Sequence, residues 1–177
     1  IKQIFENFDI PCWPEMIGLG NKEELLGFWQ EAFLKWHKDP SIDFLTESLL
    51  NRPGVKALYH FINTQASPLI PVIKGQMIGP ATLLWALKSS DIHRKKVTSF
   101  LTEALQIQAE ILNRIAKKVI ISIDEPCAFM MPDQIKLWEE ILSSGHYGQY
   151  HNALIALHTC GSLNPQWLNF EWDIVHF

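Results

Sequence analysis

The sequence predicts an α/β fold with a parallel sheet, because amphipathic segments with helical spacing alternate with short apolar runs along the chain. The short runs are apolar on both faces, as strands covered by other layers are. The 177 residues are 47% hydrophobic and 19% charged, a composition that can bury one sizeable core. We therefore expect residues 1–177 to form a single domain.

Three helices are predicted by apolar residues that recur at helical spacing. The first runs from Asn21 to Lys38, with Asn21 as its N-cap and Glu23 and Glu24 in its first turn. The second runs from Gly54 to about Gln65. The third is a long helix from about Asp91 to Lys117, which Asp91 would cap.

Four short apolar runs predict strands over Leu69–Met77, Val119–Ile123, Ala153–His158 and Trp172–Phe177. Strands joined by helices form right-handed crossovers, so that their carboxyl ends lie at one edge of the sheet. Ligands bind at that edge in open sheets and in barrels alike. The polar residues that follow these strands are therefore the candidates for a functional site.

Charge and cysteine content limit the classes of partner. The formal net charge of −4 comes from interspersed acids and bases, so neither nucleic acid nor an anionic membrane is an expected partner. No signal peptide is visible, and the apolar runs are much shorter than the roughly 20 residues of a membrane span. Three widely spaced cysteines indicate free thiols in a reducing compartment. We expect a soluble cytoplasmic protein with a small-molecule substrate.

His158 and Cys160 are the candidate metal ligands. Residues two apart on a strand lie on one face, which brings an imidazole and a thiolate within reach of one ion, and zinc accepts both. Taken alone, the pair is more often a buried cysteine beside a satisfied histidine. Candidates for a third ligand are Glu171, Asp173 and His176.

Asp124 and Glu125 follow the second predicted strand. Asp124 shares a strand face with Ser122, whereas Ile121 and Ile123 face the helices. A carboxylate at this edge suits recognition of an ammonium group. The alternative is an ordinary strand-to-helix turn with solvated acids.

Gly79 and Pro80 follow the first predicted strand as a tight turn, with Pro80 at the first position of a helix whose free N–H groups could hold an anion. The alternative is plain helix capping. Lys74 and Gln76 alternate inward on the preceding strand and could reach a barrel interior, although an interior lysine is as often a solvated residue at an edge.

Taken in order, these segments resemble the catalytic domain of cobalamin-independent methionine synthase. That domain shares a superfamily with uroporphyrinogen decarboxylase and with methyltransferases that act on methylcorrinoid proteins. The resemblance extends over about the whole chain and is carried by the motifs Asp9–Pro14, Lys74–Leu84, Ser122–Pro126 and Leu157–Gly161.

The resemblance implies a TIM (β/α)8 barrel with a catalytic zinc held by His158 and Cys160, which activates a thiol for methyl transfer. It further implies that Asp124 acts in catalysis by binding the amino group of homocysteine. We expect Gly79, Pro80 and Glu125 to contact substrate as well. The methyl donor stays open between folate, methylcorrinoid and small methylated compounds.

The chain departs from this family in length. A complete barrel needs about 250 residues, so the sequence predicts a partial TIM barrel, truncated at both ends. In the synthases a glutamate and a second cysteine complete the zinc site, and here the remaining ligands would lie outside the chain. A half-barrel leaves open sheet edges, so we expect a fragment of a longer protein or assembly with another chain, for example a homo-oligomer.

Two other functions remain open. A decarboxylase of the uroporphyrinogen type would use the barrel without zinc, but its substrate carries many carboxylates and needs a basic pocket. The three arginines, Arg52, Arg94 and Arg114, all fall on or near predicted helices. The other alternative is a non-catalytic barrel fragment in which His158 and Cys160 are structural.

Overall fold

The computed structural model of the chain describes residues 10, 12, 24–64, 70–88, 91–128, 130, 135–143, 153–159, 165 and 172–176. This part of the chain contains six α-helices and four strands. Their bounds, in chain order, are α1 (Leu25–Lys38), α2 (Ile42–Leu50), α3 (Pro53–Thr64), β1 (Ile70–Ile78), α4 (Pro80–Leu87), α5 (Asp91–Asn113), β2 (Ala116–Asp124), α6 (Ile135–Ser143), β3 (Ala153–His158) and β4 (Ile174–His176).

The four strands form one parallel sheet in the order β1-β2-β3-β4. Each strand therefore pairs with the next one along the chain, as strands connected by helices do when every crossover adds on the same side. At the other edge of β1, Cys12 forms a parallel bridge with Lys74. The predicted α/β class and its parallel sheet are confirmed.

The predicted strands are found close to their expected positions. Ala153–His158 matches β3, and Leu69–Met77 is shifted by a single residue from β1. The second strand, however, begins at Ala116 and not at Val119. Lys117 and Lys118 are exposed within it, so the apolar run in the sequence starts only after them. The predicted long helix consequently ends at Asn113 and not at Lys117.

The first helix also starts later than predicted. It begins at Leu25, and its N-cap is Glu24, which has extended backbone and no side-chain cap. The carbonyl of Glu24 accepts the first helical bond, from Phe28 N–H at 2.9 Å. Asn21 and Glu23 lie outside the described residues. Local propensity favoured Asn21 as a cap, but the first helical residue is Leu25, and the buried apolar side chains begin at Phe28.

Two short helices, α2 and α6, were not predicted. Each has nine residues, so its apolar periodicity covers little more than two turns. The start of α2 carries the usual signal nonetheless, because the Ser41 hydroxyl accepts a hydrogen bond from Phe44 N–H at 3.2 Å.

The helices pack on one face of the sheet. Gly75 lies on this face, because a Cβ placed there would meet Leu112 and Gln108 of α5. Its register partner Ile121 is fully buried, as is Ile123 two residues farther on, so the prediction that both face the helices is confirmed. Behind the sheet, Phe33 and Trp36 of α1 pack against Phe100 of α5.

Within the described segments, no helix is both long enough and apolar enough to cross a membrane.

Candidate functional site

The opposite face of the sheet carries polar side chains at the carboxyl ends of the strands. Register pairs Gln76 with Ser122, and it aligns Asp124 with His158 on the next strand. Because paired residues of parallel strands share a face, these four side chains lie on one surface. Lys74 is on the same face of β1, two residues before Gln76. The predicted meeting of Asp124 and His158 at one sheet edge is therefore observed.

Asp124 is held by two neighbouring side chains. The Ser122 hydroxyl donates to Asp124 Oδ1 at 3.1 Å, and the Gln76 amide donates through Nε2 to Asp124 Oδ2. Only 8% of the residue is exposed, so it is not the solvated acid of an ordinary turn. An ionised carboxylate has about four acceptor positions, and the two donors leave others for a ligand.

Glu125 points to the other side of the sheet and is fully buried. Its Oε1 accepts hydrogen bonds from Ala81 N–H at 3.0 Å and from Trp138 Nε1 at 3.0 Å. Its Oε2 accepts from Thr82 N–H at 2.9 Å and from the Thr82 hydroxyl at 2.8 Å. Burial raises the pKa of Glu125 to about 7, although the hydrogen bonds from Thr82, Ala81 and Trp138 lower it.

The group bound at the start of α4 is thus the carboxyl group of the protein's own Glu125. The helix begins at Pro80, as predicted, with Gly79 as its N-cap. The N–H groups of its first turn bind the Glu125 carboxylate, where the helix dipole also favours negative charge. A Cβ at Gly79 would overlap this carboxylate, so glycine is needed for its close approach. Gly79, Pro80 and Glu125 form a structural connection, and their contact with a substrate stays a prediction.

His158, the last residue of β3, is partly exposed beside Asp124. Its carbonyl accepts a hydrogen bond from Glu125 N–H at 2.9 Å, which fixes the end of β3 against the end of β2. Cys160, the second predicted zinc ligand, lies outside the described residues. The imidazole of His158 is a suitable zinc ligand, and the thiolate of Cys160 stays a prediction.

The candidate third ligands are placed only in part. Asp173 accepts a hydrogen bond from Ile155 N–H through Oδ2 at 2.7 Å and lies beside the middle of β3, away from the end that carries His158. His176 is the register partner of His158, and Glu171 lies outside the described residues. In the described part of the chain, no three side chains of metal-binding type come together.

The three arginines lie away from the strand ends. Arg52 is buried between α2 and α3 with its guanidinium 4.4 Å from the centroid of the Phe28 ring, and it lines a cavity of about 240 Å³ there. Arg94 is on α5, and Arg114 follows that helix. The described edge of the sheet therefore offers no arginine for a polycarboxylate substrate.

Sequence reasoning missed the partners of Glu125. Trp138 belongs to α6, a helix that was not predicted, although Leu137, Trp138 and Ile141 have the spacing of one helical face. Thr82 was within a recognised motif, but only the folded chain places its hydroxyl against Glu125.

In comparisons with known proteins, no family model matches the chain. No solved structure matches it either. Geometry at the sheet edge is therefore the basis for assigning a function.

Proposed function

We propose that this protein is a zinc-dependent methyltransferase that moves a methyl group to a thiol such as homocysteine. The observation that supports it most is the register alignment of Asp124 with His158 at the carboxyl edge of the sheet. A carboxylate for an ammonium group and an imidazole for a metal stand on adjacent strands, on the face of the sheet opposite to the one on which α5 packs at Gly75.

We infer that the sheet belongs to a TIM barrel. Its strands are parallel and follow chain order, whereas a doubly wound sheet reverses order at a switch point. The parallel bridge of Cys12 to Lys74 is where a preceding barrel strand would pair. This supports a barrel segment, and closure requires strands beyond the four described.

In the proposed reaction, His158 and Cys160 would hold the zinc, with further ligands from elsewhere. Bound zinc lowers the pKa of a coordinated thiol, so that a nucleophilic thiolate exists at neutral pH. Asp124 would bind the substrate ammonium group and so orient the sulfur. A sulfur–methyl bond forms as the bond between methyl group and donor breaks, and the bonding electrons stay with the donor.

The test is zinc content and methyl transfer, measured on the full-length wild type and on His158→Ala under reducing conditions. We expect the wild type to contain zinc and to methylate homocysteine from one of three donors: methyltetrahydrofolate, a methylcorrinoid or a methylated small molecule. The variant should lose both metal and transfer, because the remaining ligands hold zinc weakly.

The matched control is His60→Ala, which removes an exposed histidine on α3. It should keep zinc and transfer at wild-type levels. A wild type that binds no zinc under reducing conditions would overturn the proposed function.

A further inference from the structure

We propose that Gln76 is a positioning residue that orients the Asp124 carboxylate for the ammonium group of an amino-acid thiol. The Ser122 hydroxyl, on β2 like Asp124 itself, is the second donor to this carboxylate. This inference rests on the proposed function, because Asp124 needs a fixed orientation only if it binds a charged group of the substrate.

The two donors hold different oxygens of Asp124. Gln76 Nε2 binds Oδ2, and Ser122 Oγ binds Oδ1 at 3.1 Å. Because Gln76 and Ser122 are register partners on β1 and β2, the donors approach from two adjacent strands. Two contacts on two oxygens fix the rotation of the carboxylate about its Cβ–Cγ bond, and the unused acceptor positions then have a defined direction.

Gln76 is itself fixed from the helix side of the sheet. The amide of Gln108, fully buried in α5, donates through Nε2 to the Gln76 carbonyl at 3.1 Å. Gly75, the preceding residue, has no side chain and lets α5 approach closely enough for this contact. Gln76 is partly exposed on this polar face, where a substrate would bind.

The test compares two thiols that differ only in the amino group: homocysteine and 4-mercaptobutanoate. Gln76→Met keeps a similar side-chain length but removes the donor. Measured as kcat/KM and as Kd with the zinc-loaded full-length protein, the preference for homocysteine should fall about tenfold, since a hydrogen bond to a charged group is lost. Ser122→Ala should lower the same ratio, and it serves as the second variant if Gln76→Met does not fold.

Gln106→Met is the matched control, because Gln106 lies on α5 and bonds only to Glu110 among the described contacts. Its preference ratio should equal that of the wild type. Equal losses for both thiols in Gln76→Met and in Ser122→Ala would mean a merely structural role and would overturn this inference, leaving the proposed function intact. A wild type with no preference for homocysteine would also overturn this inference, because Asp124 would then bind no ammonium group, whereas absence of zinc or of transfer to either thiol would overturn the proposed function.

Discussion

At the scale of single residues, two adjacent carboxylates have opposite surroundings. Asp124 faces the polar surface and is held by Gln76 and Ser122. Glu125, one residue later, enters the space between α4 and α6 and has no exposure. The alternation of a strand thus separates a residue suited to ligand binding from one that joins three elements.

Glu125 makes stability depend on pH. Its pKa is about 7 in the folded protein against 4.5 in the absence of burial, so between these values the folded state holds a proton that the unfolded state has lost. Protonation of Glu125 therefore makes its full contribution to the free energy of unfolding below pH 4.5. This contribution is lost as the pH rises from 4.5 to about 7. At 1.36 kcal/mol per unit of pKa, the loss is about 3 kcal/mol at most.

Glu125→Gln removes this titration, and we expect it to abolish that part of the pH dependence. Its amide nitrogen also meets backbone donors of α4, which should lower the free energy of unfolding by about 1–3 kcal/mol. Urea unfolding at pH 5 and pH 7.5 measures both effects.

Glu139→Gln is the control, because Glu139 is exposed on α6 and its loss should leave the pH dependence unchanged. A Glu125→Gln protein with the wild-type pH dependence would show that Glu125 does not titrate in this range.

At the scale of elements, the close packing of α5 on β1 depends on Gly75. A Cβ there would lie 2.6 Å from Leu112 Cδ1 and 3.0 Å from Gln108 Oε1. Both contacts are shorter than van der Waals separation, and both partners are fully buried. The helix therefore sits as near to the sheet as a residue without a side chain permits.

Gly75→Ala should destabilise the protein by about 1–3 kcal/mol, because the added methyl group overpacks this contact. Leu112→Ala alone leaves a cavity and costs about 2–5 kcal/mol. In the double variant the methyl group enters that cavity, so the combined cost should be smaller than the sum of the two single costs. Chemical denaturation of the wild type, the two single variants and the double variant gives the coupling free energy between the two positions. Strictly additive costs would contradict a contact between residues 75 and 112.

At the scale of the whole molecule, the described helices pack on one face of the sheet, and the second face is buried at Ser122 and Ala156 but partly exposed elsewhere on β3 and β4. Leu154 of β3 and Ile174 of β4 are on this second face, 39% and 37% exposed. Apolar side chains on the inner face of a β/α-barrel are buried in layers by the remaining strands. In an open sheet these two side chains stay exposed, whereas in a closed barrel further strands would cover them.

If the intact protein closes into a barrel, a cysteine introduced as Leu154→Cys should react with a maleimide at least tenfold more slowly than one introduced as Leu34→Cys. Leu34 is the control because it is on the outer helix α1 and is 44% exposed. Mass spectrometry of the labelled peptides separates these sites from the native cysteines. Equal labelling rates would contradict closure over this face.

The elements and their order were predictable because they depend on local patterns. The β3 bounds match the apolar run Ala153–His158, and Pro80 begins a helix where its fixed backbone angle favours one. Errors arose where a local signal conflicts with packing: two lysines hid the start of β2, and Asn21 was favoured as a cap for a helix that begins at Leu25.

The sequence by itself determined the α/β class, the parallel direction of the strands and the presence of Asp124 and His158 at strand ends. Only the tertiary structure decided what the polar groups do, because hydrogen-bond partners come from distant parts of the chain. Glu125 binds the start of α4 and Trp138, whereas Asp124 accepts a hydrogen bond from Gln76 on the opposite face of the sheet. Periodicity sets the face on which a side chain lies, and register and burial set what it meets there.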